Sequence, residues 1–322
     1  MATYKEINSA GIQNFSSDPG NPINGQVWYN TGSSTLKVAE VITTGSWATG
    51  GNLNSGRARL AGAGTQTAGL AFGGFSPYTA TEEYNGSAWT TVNNMGSGRQ
   101  SLAAAGTQTA GLGFGGSGPA GPSSTRVATE EYDGTNWTNG GNMGTGRYAL
   151  SGCGTQTAGL AFAGSSTPPF TFLNATEEYN GSSWTAGGNM GSSLYFKAGA
   201  GTQTAGLAFG GGYPNTTATE EYNGTAWTGG GNMNSARRRL AGAGIQTAAL
   251  GFGGYSPVTA ATEEYDGSSW TNSGNLNTAR QYLAGGGTVA AGLAFGGGST
   301  PTKNATEEFT GPGSTITTVT TS

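Results

Sequence analysis

The string "TATEEYNGSAW" at residues 79–89 is rewritten along the chain as "VATEEYDGTNW", "NATEEYNGSSW", "TATEEYNGTAW", "AATEEYDGSSW" and, degraded, "NATEEFTGPGS". The first glutamates of these pairs are Glu82, Glu130, Glu177, Glu220, Glu263 and Glu307, at spacings of 48, 47, 43, 43 and 44 residues. A second block precedes each pair: "AGAGTQTAGLAFGG" ending at Gly74, with variants ending at Gly116, Gly164, Gly211, Gly254 and Gly298. A period in the forties means one supersecondary unit, repeated, whose apolar face is covered only by its neighbours. A catalytic carboxylate pair is needed once, so six copies point to architecture.

Within a unit, short apolar runs bounded by turn residues read as four strands, the pattern of a propeller blade. "RLAGAGT" is the first, innermost strand, where small residues suit crowding near an axis. "AGLAFGG" is the second, with Leu70 and Phe72 on one face and Ala71 and Gly73 on the other. "TATEEY" and "SAWTTV" are the third and fourth, joined by Asn85-Gly86, a strong hairpin signal. A two-residue loop there sets Tyr84 opposite Ser87 and Glu82 opposite Trp89. The aromatics then seal one blade against the next.

Buried carboxylates need partners. Arg57, Arg99, Arg147, Arg237 and Arg280 each stand seven residues before the glycine of a G-T/I-Q/V block, and Leu194 takes that place in the fourth unit. These arginines and the glutamates are expected to form inter-blade ion pairs. Trp47 has no preceding strands of its own, whereas the unit ending at Phe309 has no following tryptophan. "GSWATG" is therefore expected to complete the sixth blade, with the C-terminal "STITTVTTS" competing for that place or adding an outer strand.

The combination R…L…G…GG…EEY[ND]G…W over residues 46–322 resembles the Kelch repeat. The resemblance implies an all-β fold: a six-bladed Kelch-like β-propeller with four-stranded blades, closed by an N-terminal strand and preceded by a short β-hairpin segment at 1–45. That first segment carries "GQVWYNTGSSTLKV", a hairpin around Thr31-Gly32-Ser33-Ser34. With the "GTQTAGLAFGG…ATEEYNG" style, it resembles virion proteins of tailed phages, especially marine and cyanobacterial ones. A virion protein made in the host cytoplasm without a signal peptide is implied. Trp28 and Tyr29 are its candidate docking residues toward other virion proteins.

Composition narrows the chemistry. Thirteen Lys+Arg, scattered in a chain of net charge −4, leave no basic patch for nucleic acid. No apolar run approaches the ~20 residues of a membrane helix. The absence of histidine removes Ser-His-Asp, Cys-His and zinc-water mechanisms, and the copper chemistry of galactose-oxidase-like Kelch enzymes. Cys153 replaces a repeat alanine and reads as a small buried side chain. No cofactor, metal or enzymatic activity is expected. Variation concentrates in the connections between second and third strands, such as "FSPYTA", "SSTPPFTFLNA" and "GYPNTTA". Those connections and the ones between units share one face, and loops on a rigid scaffold are where binding residues gather. Phe75, Tyr78, Phe170, Phe172, Tyr213 and Tyr255 are the candidate ligand contacts, for a host-surface glycan or a protein receptor. The expected function is a tail-fibre or surface adhesin, the alternative a structural head-decoration or tail-assembly protein; self-association stays open.

Overall fold

The computed structural model describes residues 12–20, 25–42, 44–121, 126–167, 169–298 and 302–319, and these are all-β, without a helix. The chain divides into two compact units, residues 46–311 and residues 1–45 with 312–322. The larger unit contains six four-stranded antiparallel sheets in a propeller-like arrangement. In sheet one the strands Ala61–Thr65, Ala68–Phe72, Thr81–Tyr84 and Trp89–Val92 lie side by side in that order, here called a, b, c and d. Sheets two to five repeat it, with c strands Thr129–Tyr132, Thr176–Tyr179, Thr219–Tyr222 and Thr262–Tyr265. The sixth sheet takes its d strand from the other end of the unit. Ala284–Gly287, Ala291–Phe295 and Thr306–Thr310 are completed by Ser46–Thr49, with Trp47 opposite Phe309.

The a strands explain the glycine content. Each touches the a strands of the neighbouring sheets in cyclic order, and that of sheet six meets that of sheet one. Such close approach leaves no room for side chains: a Cβ on Gly242 would sit 2.8 Å from the Phe209 ring and 2.7 Å from the Gly199 carbonyl oxygen. Leu70, Phe72 and their equivalents are fully buried between sheets.

Three repeated side chains tie sheet to sheet. Every d-strand tryptophan donates its indole N–H to a threonine of the preceding sheet at 2.9–3.0 Å, as in Trp137 to Thr81, Trp89 to Thr306 and Trp47 to Thr262. Five tyrosine hydroxyls donate to the second glutamate of the preceding sheet at 2.5–2.7 Å: Tyr84 to Glu308, Tyr132 to Glu83, Tyr179 to Glu131, Tyr222 to Glu178 and Tyr265 to Glu221. Glutamines such as Gln108 donate to two backbone carbonyls of the preceding sheet, Gly69 and Tyr84. The sixth tyrosine position is Phe309, which has no hydroxyl. The Oε1 of Glu264, the carboxylate it would serve, is buried without a hydrogen-bond partner.

The first glutamates do something else, and here the expectation of inter-blade arginine pairs is corrected. Glu82, Glu130, Glu177, Glu263 and Glu307 are buried against Arg57, Arg99, Arg147, Arg237 and Arg280 respectively. Each arginine lies in the connection leading into the sheet that carries its glutamate, so the pair pins a connection to its own sheet. Arg99 is typical. Its Nη2 donates to Glu130 at 2.8 Å and its Nη1 to the carbonyls of Gly115 and Ala128 at 3.2 and 2.6 Å. Glu130 also accepts the backbone N–H groups of Gly96 and Ser97 at 2.7 and 3.2 Å. In sheet four the two residue types have exchanged places. Leu194 stands where arginine is expected, and Lys197 stands where the other connections have Leu60, Leu102, Leu150, Leu240 and Leu283, its Nζ 3.5 Å from Glu220.

Two further expectations are corrected. The c–d turn spans four residues, so Tyr84 faces Trp89 and Glu82 faces Thr91. The physical reason is an Asx turn: Asn85 Oδ1 accepts the N–H groups of Ser87 and Ala88, and the Asn85 N–H donates to the Ala88 carbonyl. The facing rings of Tyr84 and Trp89 lie 4.9 Å apart. The C-terminal strand Gly313–Thr318 does not join the sixth sheet. It pairs with Thr35–Ile42, in register from Lys37 opposite Thr318 to Ile42 opposite Gly313, and completes the smaller unit's sheet with Gln13–Phe15 and Val27–Asn30. The boundary expected at 46–322 therefore moves to 46–311.

Candidate functional site

Six connections run from a d strand into the next a strand, and all carry the pattern cation-x-x-Leu or its sheet-four inversion. The two central residues are the only ones that change freely: Ala58-Arg59, Gln100-Ser101, Tyr148-Ala149, Tyr195-Phe196, Arg238-Arg239 and Gln281-Tyr282. The second residue of each pair has a left-handed backbone, with φ between 50° and 60°. Their peptides form a cycle. Ser101 N–H donates to Arg59 O, Ala149 to Ser101, Phe196 to Ala149, Arg239 to Phe196, Tyr282 to Arg239, and Arg59 to Tyr282, at 2.8–3.1 Å. The left-handed φ turns each N–H and C=O along this circle, a conformation costly for residues with a Cβ.

The six side chains stand around the mouth of a cavity of about 140 Å³, lined by four consecutive residues from each of the six connections and a strands. Its lining includes Arg59, Arg239 and Lys197 and no carboxylate. The guanidinium carbons of Arg59 and Arg239 lie 4.7 and 4.5 Å from the centroid of the one Tyr282 ring. Arg239 also lies 5.1 and 5.4 Å from the Tyr255 and Phe196 centroids, and Arg238 sits over Tyr213 and Tyr255. Gln100 and Gln281 steady the two mouth arginines by accepting from their Nη1 atoms at 3.2 and 3.0 Å. Burial lowers the pKa of Arg239, and the neighbouring cations Arg238 and Arg59 push it the same way.

The b–c connections adjoin this mouth through backbone bonds: Phe75 N–H to Ala58 O, Gly212 N–H to Tyr195 O, and a two-way bridge between Arg238 and Tyr255. Of the expected contacts, Tyr213 and Tyr255 join the arginine cluster, and Phe172 stacks on Tyr195 at 4.8 Å, with Tyr195 in turn against Phe196. Phe75 and Tyr78 meet each other edge-on at 5.7 Å. Phe170 is 68% exposed and Tyr213 66%. In the two longest b–c connections, 117–128 and 165–175, residues 122–125 and 168 lie outside the described residues; the aromatic and cationic cluster extends from sheet three round to sheet one. Sequence reasoning missed Arg59, Tyr195, Phe196, Arg238, Arg239 and Tyr282. The signal was present: two variable residues inside a motif that otherwise hardly changes.

The docking pair separates. Trp28 is fully buried, its indole N–H 3.1 Å from Asp18 Oδ1, and is a packing residue of its own sheet, whereas Tyr29 is exposed. Hydrogen bonds from Asn30 and Trp28 hold the Asp18 carboxyl below its ordinary pKa. Desolvation pushes the buried Cys153 thiol up to about 12, far from the thiolate form. Among the described residues no three of His, Cys, Asp and Glu come together as a metal site, and no helix is long and apolar enough to cross a membrane. The chain matches no protein-family model and no curated protein at a significant level.

Proposed function

We propose that the larger unit is a closed six-bladed β-propeller of Kelch type serving as a non-catalytic recognition module in a tailed-phage particle, an adhesin for host-surface material. Closure is supported by the cyclic chain of six backbone hydrogen bonds and by Ser46–Thr49 completing the sheet of Thr306–Thr310. The binding role rests on one observation: sequence variation, exposed rings and guanidinium groups without a carboxylate partner converge on the axial mouth, while the opposite turns are nearly invariant. Connections held by a rigid scaffold are where binding residues disproportionately lie. The virion setting rests on the "GQVWYN…LKV" segment, with exposed Tyr29 as the remaining candidate for docking to other virion proteins.

A non-enzymatic role fits the employment of the acidic groups. The first glutamates bind arginine, lysine and backbone N–H groups, and five of the second glutamates accept tyrosine hydroxyls. Exposed Phe170, with its large apolar ring, favours a protein neighbour as the second reading, in which this face contacts another virion subunit. Labelled protein applied to bacterial envelopes tests the choice. Envelope adsorption lost in Tyr213→Ala, with an unchanged melting temperature, is the expected result. Adsorption indifferent to Tyr213→Ala and Phe170→Ala, with either variant excluded from assembled particles, would establish the structural role instead.

A further inference from the structure

Nine arginines occur in the chain, and five are consumed by buried glutamates. Of the four others, Arg59, Arg238 and Arg239 meet at the axial mouth, and among the described residues none of them pairs with a carboxylate. Gathering like charges this closely costs Coulomb energy, offset only in part by the cation–π contacts of Arg59 and Arg239 with Tyr282 and of Arg238 and Arg239 with Tyr255. The Nε atoms of Arg238 and Arg239 are buried without hydrogen-bond partners, as are those of the five glutamate-paired arginines, but of these only the mouth arginines also lack a carboxylate. An arrangement with that cost is relieved by an anion.

The backbone carries a second, independent sign. All six mouth residues have positive φ, yet none is glycine in a chain with 62 glycines, many of which hold positive φ elsewhere. Glycine would relieve the strain at no steric cost. Arginine, phenylalanine and tyrosine occupy four of the six positions, with Ser101 and Ala149 at the other two, so at those four the strained backbone presents a large side chain.

We propose that this mouth binds the terminal residue of an acidic saccharide, its anionic substituent held by Arg59 and Arg239. This deepens the adhesin reading and rests on it for the ligand's origin. A cavity of about 140 Å³ is smaller than the roughly 300–1,000 Å³ that encloses a drug-sized ligand, which suits one sugar ring or its substituent. The mouth supplies planar donors from Arg59 and Arg239, held in place by buried Gln100 and Gln281, and the exposed ring of Tyr213 lies beside Arg238, where a sugar ring could stack. A peptide is less well served. The a strands at the mouth are the innermost strands and are flanked by other a strands, so they offer no accessible edge for strand addition. Guanidinium groups fit carboxylate and phosphate alike in bidentate geometry, and the acid on the sugar is either of these.

Calorimetric titration of the intact protein with glucuronic acid, glucose 6-phosphate, glucose, acetate and a tetraglutamate peptide tests the proposal. One or both acidic sugars should bind at least tenfold more tightly than glucose or acetate, with affinity falling as salt rises. Which acidic sugar responds identifies the substituent. Arg239→Gln should weaken binding at least tenfold, while Arg126→Gln, outside the mouth, should leave it unchanged. Ser101→Trp provides a second variant that fills the mouth and keeps every charge. Its backbone position matches that of Phe196, where a bulky ring is already accommodated at the same φ, and it should also abolish binding. Equal affinity for glucose, for acetate, or a tighter fit to the peptide would overturn the proposal, as would full binding by both mouth variants. Envelope adsorption without acidic-sugar binding would sink this inference and leave the adhesin reading standing. Acidic-sugar binding without adsorption would do the reverse.

Discussion

Replacing Glu130 by glutamine removes one charge from the most self-contained part of each repeat. Both partners are buried, with Arg99 0% and Glu130 1% exposed. The carboxylate accepts from the guanidinium and from the N–H groups of Gly96 and Ser97, and burial already disfavours the Arg99 cation, lowering its pKa against the opposing pull of Glu130. An amide retains one acceptor but no charge. Arg99 would keep the carbonyls of Gly115 and Ala128 while its Nε stays unpartnered. Breaking a buried pair by removing one partner costs about 3–5 kcal/mol; the two retained carbonyl bonds place this case near ~3 kcal/mol. For a unit of this size each kcal/mol lowers the melting temperature by roughly 2–4 °C, so a fall of about 6–12 °C is expected by calorimetry. Glu130→Leu combined with Arg99→Met removes both charges together and should cost less than the sum of the two single changes, because no unpaired charge stays buried, although the Gly115 and Ala128 carbonyls lose their guanidinium donor. Glu220→Gln should cost less, since Lys197 sits 3.5 Å away and Ser192 also donates to that carboxylate. A melting temperature within 2 °C of the parent for Glu130→Gln, roughly 1 kcal/mol or less, or a double variant as unstable as the sum of the singles, would refute the reasoning.

Phe309→Tyr should restore the missing sixth hydroxyl and satisfy Glu264, raising stability by about 1 kcal/mol in chemical denaturation. Trp47→Ala should cost about 3–5 kcal/mol and lower the melting temperature of the larger unit, because Trp47 fills the seam between the fifth and sixth sheets and bonds Thr262; an unchanged melting curve would contradict closure. Burial, reinforced by the hydrogen bond to glutamate, raises the Tyr84, Tyr179, Tyr222 and Tyr265 hydroxyls to about 12. A folded pKa above the unfolded value of ~10 means these groups contribute full stability below pH ~10 and lose it as pH rises to about 12. Thermal melts should therefore fall across that window, with tyrosinate absorbance rising alongside unfolding.

The local period of the chain was enough to set the strand order, the buried aromatics and the spare strand at Trp47, because a repeat states the same contact six times. It also matched arginine to glutamate, although not the level at which they pair: the residues meet inside one repeat, and neighbouring sheets are joined by tyrosine and tryptophan. In sheet four Leu194 and Lys197 trade roles across three residues, and only the fold shows that the cation still reaches Glu220. The partner of Gly313–Thr318 was equally invisible, since nothing local to a threonine-rich strand names a sheet edge more than 270 residues earlier in the chain. The axial mouth is the clearest case. Arg59, Phe196, Arg239 and Tyr282 are far apart in sequence and unlike one another, and each reads alone as an ordinary connection residue. The cyclic packing of the a strands gathers them at one point, and like charges and strained backbone become informative only once they share it.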